Sequence, residues 1–126
     1  MQEEVIRWLD KFAKAVRERD FATGLTLYDP QATAFGTRVN WAQDAQIYLA
    51  GQWQPIWNSS TGYEFTEILR IDSSGELIAI STLWINHTEI AGKVVERSGR
   101  ASFVLRRQGG SLVAIQSHYS ESPKLA

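Results

Sequence analysis

Two polar residues in the last third of the chain, Arg100 and Ser102, have the types and the spacing of a binding site. They are two positions apart, so on a β-strand their side chains point to the same face. If that face is covered, an arginine there can bind a carboxylate through two parallel hydrogen bonds. The pair therefore predicts a pocket for a small molecule that carries a carboxylate.

His118 and Tyr119 are the only candidates for catalysis. An imidazole changes its charge near neutral pH, so His118 could act as a general base. Strict alternation turns His118 to the opposite face from Tyr119, whereas a bulge near the end of the strand could turn it back. A hydrogen-bonded structural role in the sheet is the alternative for His118.

Metal and cofactor chemistry has no recognisable motif in the chain. There is no cysteine, and the two histidines, His87 and His118, do not lie in a ligand-spaced cluster. No glycine-rich phosphate loop, nucleophile elbow or pair of carboxylates is present. We therefore expect no metal and no cofactor, and these residues specify no reaction.

Length, charge and hydropathy limit the possible classes of function. The chain has 126 residues, 44% of them apolar, which is enough for one domain over residues 1–126. Its formal net charge of −1 argues against nucleic-acid binding. The acidic start lacks the features of a secretory signal, and no stretch approaches the roughly 18 apolar residues of a membrane span. We expect a cytoplasmic protein with no membrane partner.

The start of the chain has the spacing of helices. Apolar residues recur every three or four positions and predict a helix over 2–18. Asp20 is placed to cap a second helix over 21–28, which must end before Pro30 because the residue before a proline avoids the helical region.

A short strand and a third helix are predicted next. The apolar run 32–37 indicates the strand, and Asn40 with Gln43 resembles a capping box at the start of the helix. This helix should end or kink near Pro55. Aromatic residues at helical spacing are assigned to the core, namely Trp8, Phe12, Trp41, Tyr48 and Trp53.

After Trp57 the spacing changes from helical to alternating, which predicts a sheet. The alternation indicates four strands, over 61–72, 77–87, 93–107 and 111–120. The Gln108-Gly109-Gly110 sequence supplies the positive φ of a tight hairpin turn. Helices followed by an antiparallel meander predict an α+β fold, with the helices packed on one face of a curled sheet.

The order of elements and several local motifs resemble the nuclear transport factor 2-like superfamily. Within it the chain is most similar to the SnoaL-like branch and to the association domain of calcium/calmodulin-dependent protein kinase II. The residues that carry the resemblance are Phe12, Arg19-Asp20, Tyr28, Phe35-Gly36, Trp57, 99–104, 117–120 and Pro123. The resemblance implies a cone-shaped α+β fold, a pocket between the concave sheet face and the helices, and a dimer formed through the other face.

The same resemblance implies which residues line the pocket. Arg100 would occupy the position of a pocket arginine in the family, which places Ser102 and Val104 inside with it. Inward positions on the other strands would be Ile80, Thr82, Trp84, Ser117 and Tyr119. The mouth would be closed from the helical side by Tyr28, Phe35, Trp53 and Trp57.

Arg100 also has a purely structural alternative, as an ion-pair partner of Glu67, Glu89 or Glu96. A homodimer is expected because the opposite sheet face would be apolar. The residues assigned to that outer face are Val95, Ala101, Phe103, Leu105, Leu112 and Ala114.

Three functions remain open from the sequence. The first is a binding domain whose aromatic pocket holds a partly apolar small molecule, with Arg100 bound to its carboxylate. The second is a cofactor-free lyase, isomerase or cyclase of the SnoaL-like kind that acts on a small hydrophobic substrate. The predicted inward positions hold no Asp or Glu, which departs from the family's isomerases. The third is a structural homo-oligomerisation domain.

Overall fold

The computed structural model describes residues 2–124. Helix α1, Gln2–Glu18, forms where the sequence predicts it and buries one apolar stripe against the sheet. It ends at Glu18, and the next residue, Arg19, has a left-handed φ of 55°. The amide of the next residue, Asp20, then donates to the carbonyl of Ala15 at 2.8 Å, which closes the last turn.

Helix α2, Phe21–Thr26, is capped by Asp20 as predicted. The Asp20 carboxylate accepts from the Thr23 amide at 3.1 Å and from the Thr23 hydroxyl at 2.7 Å. The hydroxyl bond, followed by the amide bond, lowers the pKa of Asp20. The helix ends two residues earlier than predicted, because Tyr28 already belongs to the next strand.

Strand β1, Tyr28–Phe35, begins earlier than the predicted 32–37 and includes Pro30. It lies at one edge of the sheet and pairs with a single neighbour, so a residue without an amide donor is tolerated. The pairing is parallel, and the sheet is therefore mixed rather than wholly antiparallel.

The third predicted helix consists of three short pieces. Asp44, not Asn40, caps α3, Ala45–Tyr48, and a π-helical turn, Leu49–Trp53, leads directly into α4, Gln54–Trp57. The π-turn lies immediately before Pro55, so the helix changes its winding at the place where proline forbids a regular hydrogen bond. Trp41 precedes the helix and is 52% exposed; its assignment to the core was wrong.

The predicted meander is confirmed, with each strand slightly longer than expected. The strands are β2, Ser60–Ser74; β3, Leu77–Ile90; β4, Lys93–Gln108; and β5, Ser111–Glu121. They follow the order β1-β5-β4-β3-β2 across the sheet. Gly109 and Gly110 adopt φ values of 51° and 83°, as the predicted hairpin turn requires.

The helices cover one face of the sheet, called here the inner face. On β3 the predicted inward residues Ile80, Thr82 and Trp84 are buried, as expected. Their partners on β4 are Phe103, Ala101 and Gly99, and directly paired residues share a face. Arg100 and Ser102 therefore lie on the outer face and are exposed. The predicted inward position of these two residues, and of Val104, was wrong.

A β-bulge changes the alternation on β5. Leu105 pairs with Ala114, whereas Val104 pairs with Gln116, so one extra residue is inserted in β5. Leu112 and Ala114 before the bulge, and Ser117 after it, are consequently all buried.

The outer apolar patch predicted from the sequence was therefore also wrong. Five of its residues are buried in the core beneath the helices: Ala101, Phe103, Leu105, Leu112 and Ala114. Val95, at 42% exposure, is the remaining one.

Candidate functional site

A cavity of about 40 Å³ lies between α1, the π-turn and the inner face of the sheet. Its walls are mainly aromatic, with a few polar groups. The lining residues are Phe12, Val16, Thr37, Tyr48, Gln52, Trp53, Ile56, Trp57, Tyr63, Trp84, Asn86, Arg97 and Tyr119.

The aromatic wall is built by the π-turn and α4. The rings of Trp53 and Trp57 stack with centroids 4.7 Å apart, and Phe12 packs edge-on against Trp57 at 5.9 Å. Arg19 fixes the end of α4, because its guanidinium donates to the carbonyls of Trp57 at 2.9 Å and Ser60 at 3.2 Å. The first bond satisfies a carbonyl that the helix end leaves open, and the second joins Arg19 to the first residue of β2.

Gln52 joins the π-turn to the loop that follows β1. Its side-chain oxygen accepts from the amides of Arg38 at 2.7 Å and Val39 at 3.3 Å. Its side-chain nitrogen donates to the Thr37 hydroxyl at 2.8 Å. Gln52 is itself buried, so its bonds secure the loop that supplies Thr37 to the cavity wall.

Tyr63 and Tyr119 form a pair of phenols in the cavity wall, with their oxygens 2.5 Å apart. Tyr63 lies within a register shift of β2, between Thr61 and Glu64, and its side chain is buried. Burial is the main cause that raises the pKa of both phenols well above the ordinary value. Both groups therefore stay neutral and can donate hydrogen bonds.

Arg97 is the arginine that lines the cavity, three residues before the one predicted. It is the direct partner of Asn86 across β3 and β4. Its guanidinium bonds to the carboxylate of Glu121, at the end of β5. The side chains of Arg97 and Glu121 are 18% and 48% exposed, so this ion pair lies where the cavity meets the surface.

Two polar atoms of cavity-lining residues are buried without a partner among residues 2–124. They are Nε1 of Trp84, a donor, and Oδ1 of Asn86, an acceptor. The indole of Trp84 lies against Gly99, where any side chain would collide with the ring and with the Ser120 carbonyl. Buried polar atoms in native proteins normally have a partner, so the two open atoms mark this wall as a place for a polar group.

Four of the predicted site residues meet at the cavity: Trp53, Trp57, Trp84 and Tyr119. Three others are buried in the core beside it, where their polar atoms bond to each other or to the backbone. The Tyr28 hydroxyl donates to Ser117 Oγ at 2.8 Å, and the Thr82 hydroxyl donates to the Ala101 carbonyl at 2.9 Å. Burial raises the pKa of Tyr28 well above its ordinary value, so this phenol is also neutral.

The other predicted site residues lie on the outer face. Arg100 donates to Ser120 Oγ at 3.3 Å, not to the glutamates considered from the sequence, and Ser102 is the strand partner of His118. His118 is exposed, and its ring centroid is 5.1 Å from that of Phe35. The bulge in β5 precedes Ser117 and does not turn His118 inward. A general base at His118 therefore cannot serve the cavity, and Phe35 does not close its mouth.

Sequence reasoning missed Tyr63, Asn86 and Arg97, among others. Asn86 continues the alternation of Thr82 and Trp84, so extending that pattern by one step would have found it. The inward position of Arg97 could have been inferred from the two-residue turn Ala91-Gly92. This turn pairs each even-numbered residue of β3 with an odd-numbered residue of β4. Nothing in the sequence marks the register shift around Tyr63.

Metal-binding clusters and membrane-spanning helices are both absent from residues 2–124. No group of three or more His, Asp or Glu side chains is placed to hold a metal ion. No helix in this part of the chain has the length and apolar character needed to cross a membrane.

Comparison with solved structures shows the fold. A nuclear transport factor 2-like superfamily protein from Salmonella enterica serovar Typhimurium superposes with a TM-score of 0.85 at 14% identity, covering 98% of this chain and 92% of that one. The association domain of CaMKII from C. elegans gives 0.77 at 16% identity, with 94% of each chain covered. A putative ketosteroid isomerase from Shewanella frigidimarina gives 0.76 at 14% identity, covering 90% and 92%.

At these identities the structural likeness shows the fold alone, which is the nuclear transport factor 2-like fold expected from the sequence. A comparison with curated proteins gives no match. The model of the SnoaL-like domain family matches residues 5–123. The chain therefore belongs to the SnoaL-like domain family.

Proposed function

We propose that this protein binds a small, partly apolar molecule in the aromatic cavity. The observation that carries the proposal is the pair of unpartnered polar atoms, Trp84 Nε1 and Asn86 Oδ1, in a wall that is otherwise aromatic. Burying such atoms without a partner costs about 1–3 kcal/mol each. A ligand that bonds to them recovers part of this cost, and its apolar part gains contact with Trp53 and Trp57.

The size of the cavity limits the ligand. Pockets for drug-sized molecules have volumes of roughly 300–1,000 Å³, whereas this cavity has about 40 Å³. The ligand is therefore small, or its entry separates Arg97 from Glu121 at the surface. A ligand carboxylate that replaces Glu121 keeps the guanidinium of Arg97 paired, and Glu121 is exposed enough to return to water.

Arg97 takes over the role that the sequence suggested for Arg100. A ligand carboxylate can form two parallel hydrogen bonds with its guanidinium. Glu121 already places a carboxylate against this guanidinium, which supports the proposal. A carboxylate-bearing ligand would replace Glu121 as the partner of Arg97.

A lyase, isomerase or cyclase has less support. Proton abstraction from carbon needs a tuned base in contact with the substrate. The residues that line the cavity include no Asp, Glu or His, and the phenols of Tyr63 and Tyr119 are held neutral by burial. Binding without acid–base chemistry is therefore the better-supported function.

We also propose a homodimer formed through the outer face of the sheet. Several apolar side chains on this face do not pack against the core: Leu69, Leu83, Ile85, Val104 and Val113. A second copy of the chain would cover them. The CaMKII association domain among the similar folds supports assembly, and a structural homo-oligomerisation role is the remaining alternative. The cytoplasmic location stays a prediction.

The binding proposal is tested by thermal melting with a panel of small ligands that includes benzoate and its neutral analogue benzamide. Binding to the native state raises the melting temperature, and we expect at least benzoate to do so. Arg97→Ala should remove the benzoate effect. Arg100→Ala, on the outer face of the same strand, is the matched control and should retain it. A panel without any shift would contradict the proposal.

A further inference from the structure

Three successive inward residues of β3 each have a buried polar atom without a partner. They are Trp84 with Nε1, Asn86 with Oδ1 and Thr88 with Oγ1. In residues 2–124 these make up three of the four buried side-chain polar atoms that lack a partner; the fourth, Nε1 of Trp8, lies in α1. Such atoms are rare in native proteins. Trp84 and Asn86 line the cavity, whereas Thr88 does not, so the first two atoms point to a polar group bound in the cavity.

The order of donor and acceptor along this row restricts the chemistry of that group. Trp84 can only donate through its indole, and the open atom of Asn86 can only accept. The Cα atoms of the two residues are about 6.5–7 Å apart along the strand, and both side chains line the cavity. We therefore place one small group between the two side chains. It must accept one hydrogen bond and donate another.

We propose that the cavity recognises a hydroxyl group of its ligand, held between Trp84 Nε1 and Asn86 Oδ1. A hydroxyl both accepts and donates. A carboxylate or an ether accepts but cannot donate to Asn86, and an ammonium group donates but cannot accept from Trp84. The ligand class is therefore a small apolar compound with a hydroxyl group, such as a phenol or an alcohol.

The neighbouring strand leaves this position accessible. Gly99 is the partner of Trp84 on β4 and has no side chain, and Arg97, the partner of Asn86, extends to Glu121. The guanidinium thus does not occupy the acceptor of Asn86. The inference rests on the proposed function, since it assigns a chemical group to the same cavity.

The test uses phenol and toluene, which have almost the same shape but differ in the hydroxyl. The chain has five tryptophans, so a nitrogen-15 spectrum contains five indole signals, and Trp84→Phe identifies that of Trp84. Phenol should bind about tenfold more tightly than toluene, because it adds two hydrogen bonds in a buried site. It should also shift the Trp84 indole proton downfield, which toluene should not.

Variants assign the preference to the named atoms. Asn86→Leu removes the acceptor at similar volume and should reduce the phenol-to-toluene ratio to about one while toluene still binds. Trp84→Phe, which keeps an aromatic ring, should have the same effect. Thr88→Val is the matched control, because Thr88 does not line the cavity, and it should keep the tenfold preference. Circular dichroism shows whether each variant is folded.

The outcomes separate this inference from the proposed function. If phenol and toluene bind equally, or if the preference survives Asn86→Leu, a water molecule rather than a ligand hydroxyl satisfies the two atoms, and the inference fails while the cavity remains a binding site. If neither compound binds up to its solubility limit and benzoate also fails to bind, both the inference and the proposed function are contradicted.

Discussion

Asn86 and Arg97 are direct partners across β3 and β4, and both side chains line the cavity. Arg97 nevertheless bonds to Glu121, and the side-chain oxygen of Asn86 has no partner in the described part of the chain. At this position the two strands therefore present a guanidinium that already has a partner and an amide oxygen that has none. A ligand with a carboxylate and a hydroxyl can use both.

Removal of Glu121 should strengthen the binding of anions. Glu121→Gln takes away the carboxylate that competes for Arg97, and we expect a gain in benzoate affinity of about two- to fivefold, since a partly exposed ion pair contributes at most about 1 kcal/mol. Calorimetric titration measures the gain. Glu96→Gln, on the outer face of β4, is the control and should change nothing. Unchanged or weaker benzoate binding in Glu121→Gln would show that the two carboxylates do not compete.

A side chain at position 99 should destabilise the fold at the cavity wall. In Gly99→Ala the added methyl group collides with the Trp84 ring and with the Ser120 carbonyl. Overpacking of this kind costs about 1–3 kcal/mol, and urea denaturation should show a loss of that size. Ser98→Ala, an exposed neighbour, should lose less than about 0.5 kcal/mol. Equal stability of the two variants would be inconsistent with the close approach of Trp84 to this strand.

Gln52 should hold the loop beside the cavity. Gln52→Ala leaves the amides of Arg38 and Val39 without their acceptor, and we expect hydrogen exchange at these two amides to accelerate. The free energy of unfolding should fall by about 1–3 kcal/mol, because buried partners become unsatisfied. Gln54→Ala, an exposed glutamine in the next turn, should alter neither quantity. If hydrogen exchange of the Arg38 amide is unchanged in Gln52→Ala, Gln52 does not hold this loop.

The tyrosines should remain protonated in the folded protein at alkaline pH. The pKa of each of the four tyrosines in the chain is raised, and burial is the main cause. A group with a raised folded-state pKa stabilises the fold below its unfolded pKa, which is about 10 for tyrosine, and this stability is lost as pH rises above that value. Phenolate absorbance should therefore appear only together with unfolding. A phenol that ionises near pH 10, while circular dichroism still reports a folded chain, would contradict this.

The outer face of the sheet should mediate dimer formation. Leu83→Glu places a charge among the half-buried apolar side chains of this face, and light scattering at micromolar concentration should then report a monomer where the unaltered protein is a dimer. Ile90→Glu, at the exposed end of β3, is the control and should remain dimeric. A monomeric unaltered protein would disprove the dimer.

The elements were predictable because their signals are local. Asp20 caps α2 as expected, and the Gly109-Gly110 turn separates β4 from β5 where the sequence places it. The inner face was harder, since alternation divides a strand into two faces without showing which one the helices cover. Assigning Arg100 to the pocket by resemblance reversed the two faces of β4. The two-residue turn at Ala91-Gly92 fixes the pairing of β3 with β4, and this pairing would have shown that Arg100 lies on the outer face.

Other features of the site depend on interactions distant in the sequence. The bulge in β5 results from its pairing with β4, and it brings Ala114 and Ser117 to the same face despite their odd spacing. The ion pair of Arg97 with Glu121 also joins two strands. Which buried polar atoms lack a hydrogen-bond partner can be known only from the folded structure, because most possible partners are distant in the sequence.

The most direct test of the account is calorimetric titration of benzoate into the unaltered protein, Arg97→Ala and Arg100→Ala. We predict saturable binding to the unaltered protein and no change for Arg100→Ala. For Arg97→Ala the affinity should be about 10- to 100-fold lower, because charged hydrogen bonds are lost. Equal affinity for all three proteins, or a loss only in Arg100→Ala, would contradict a binding site on the inner face of the sheet.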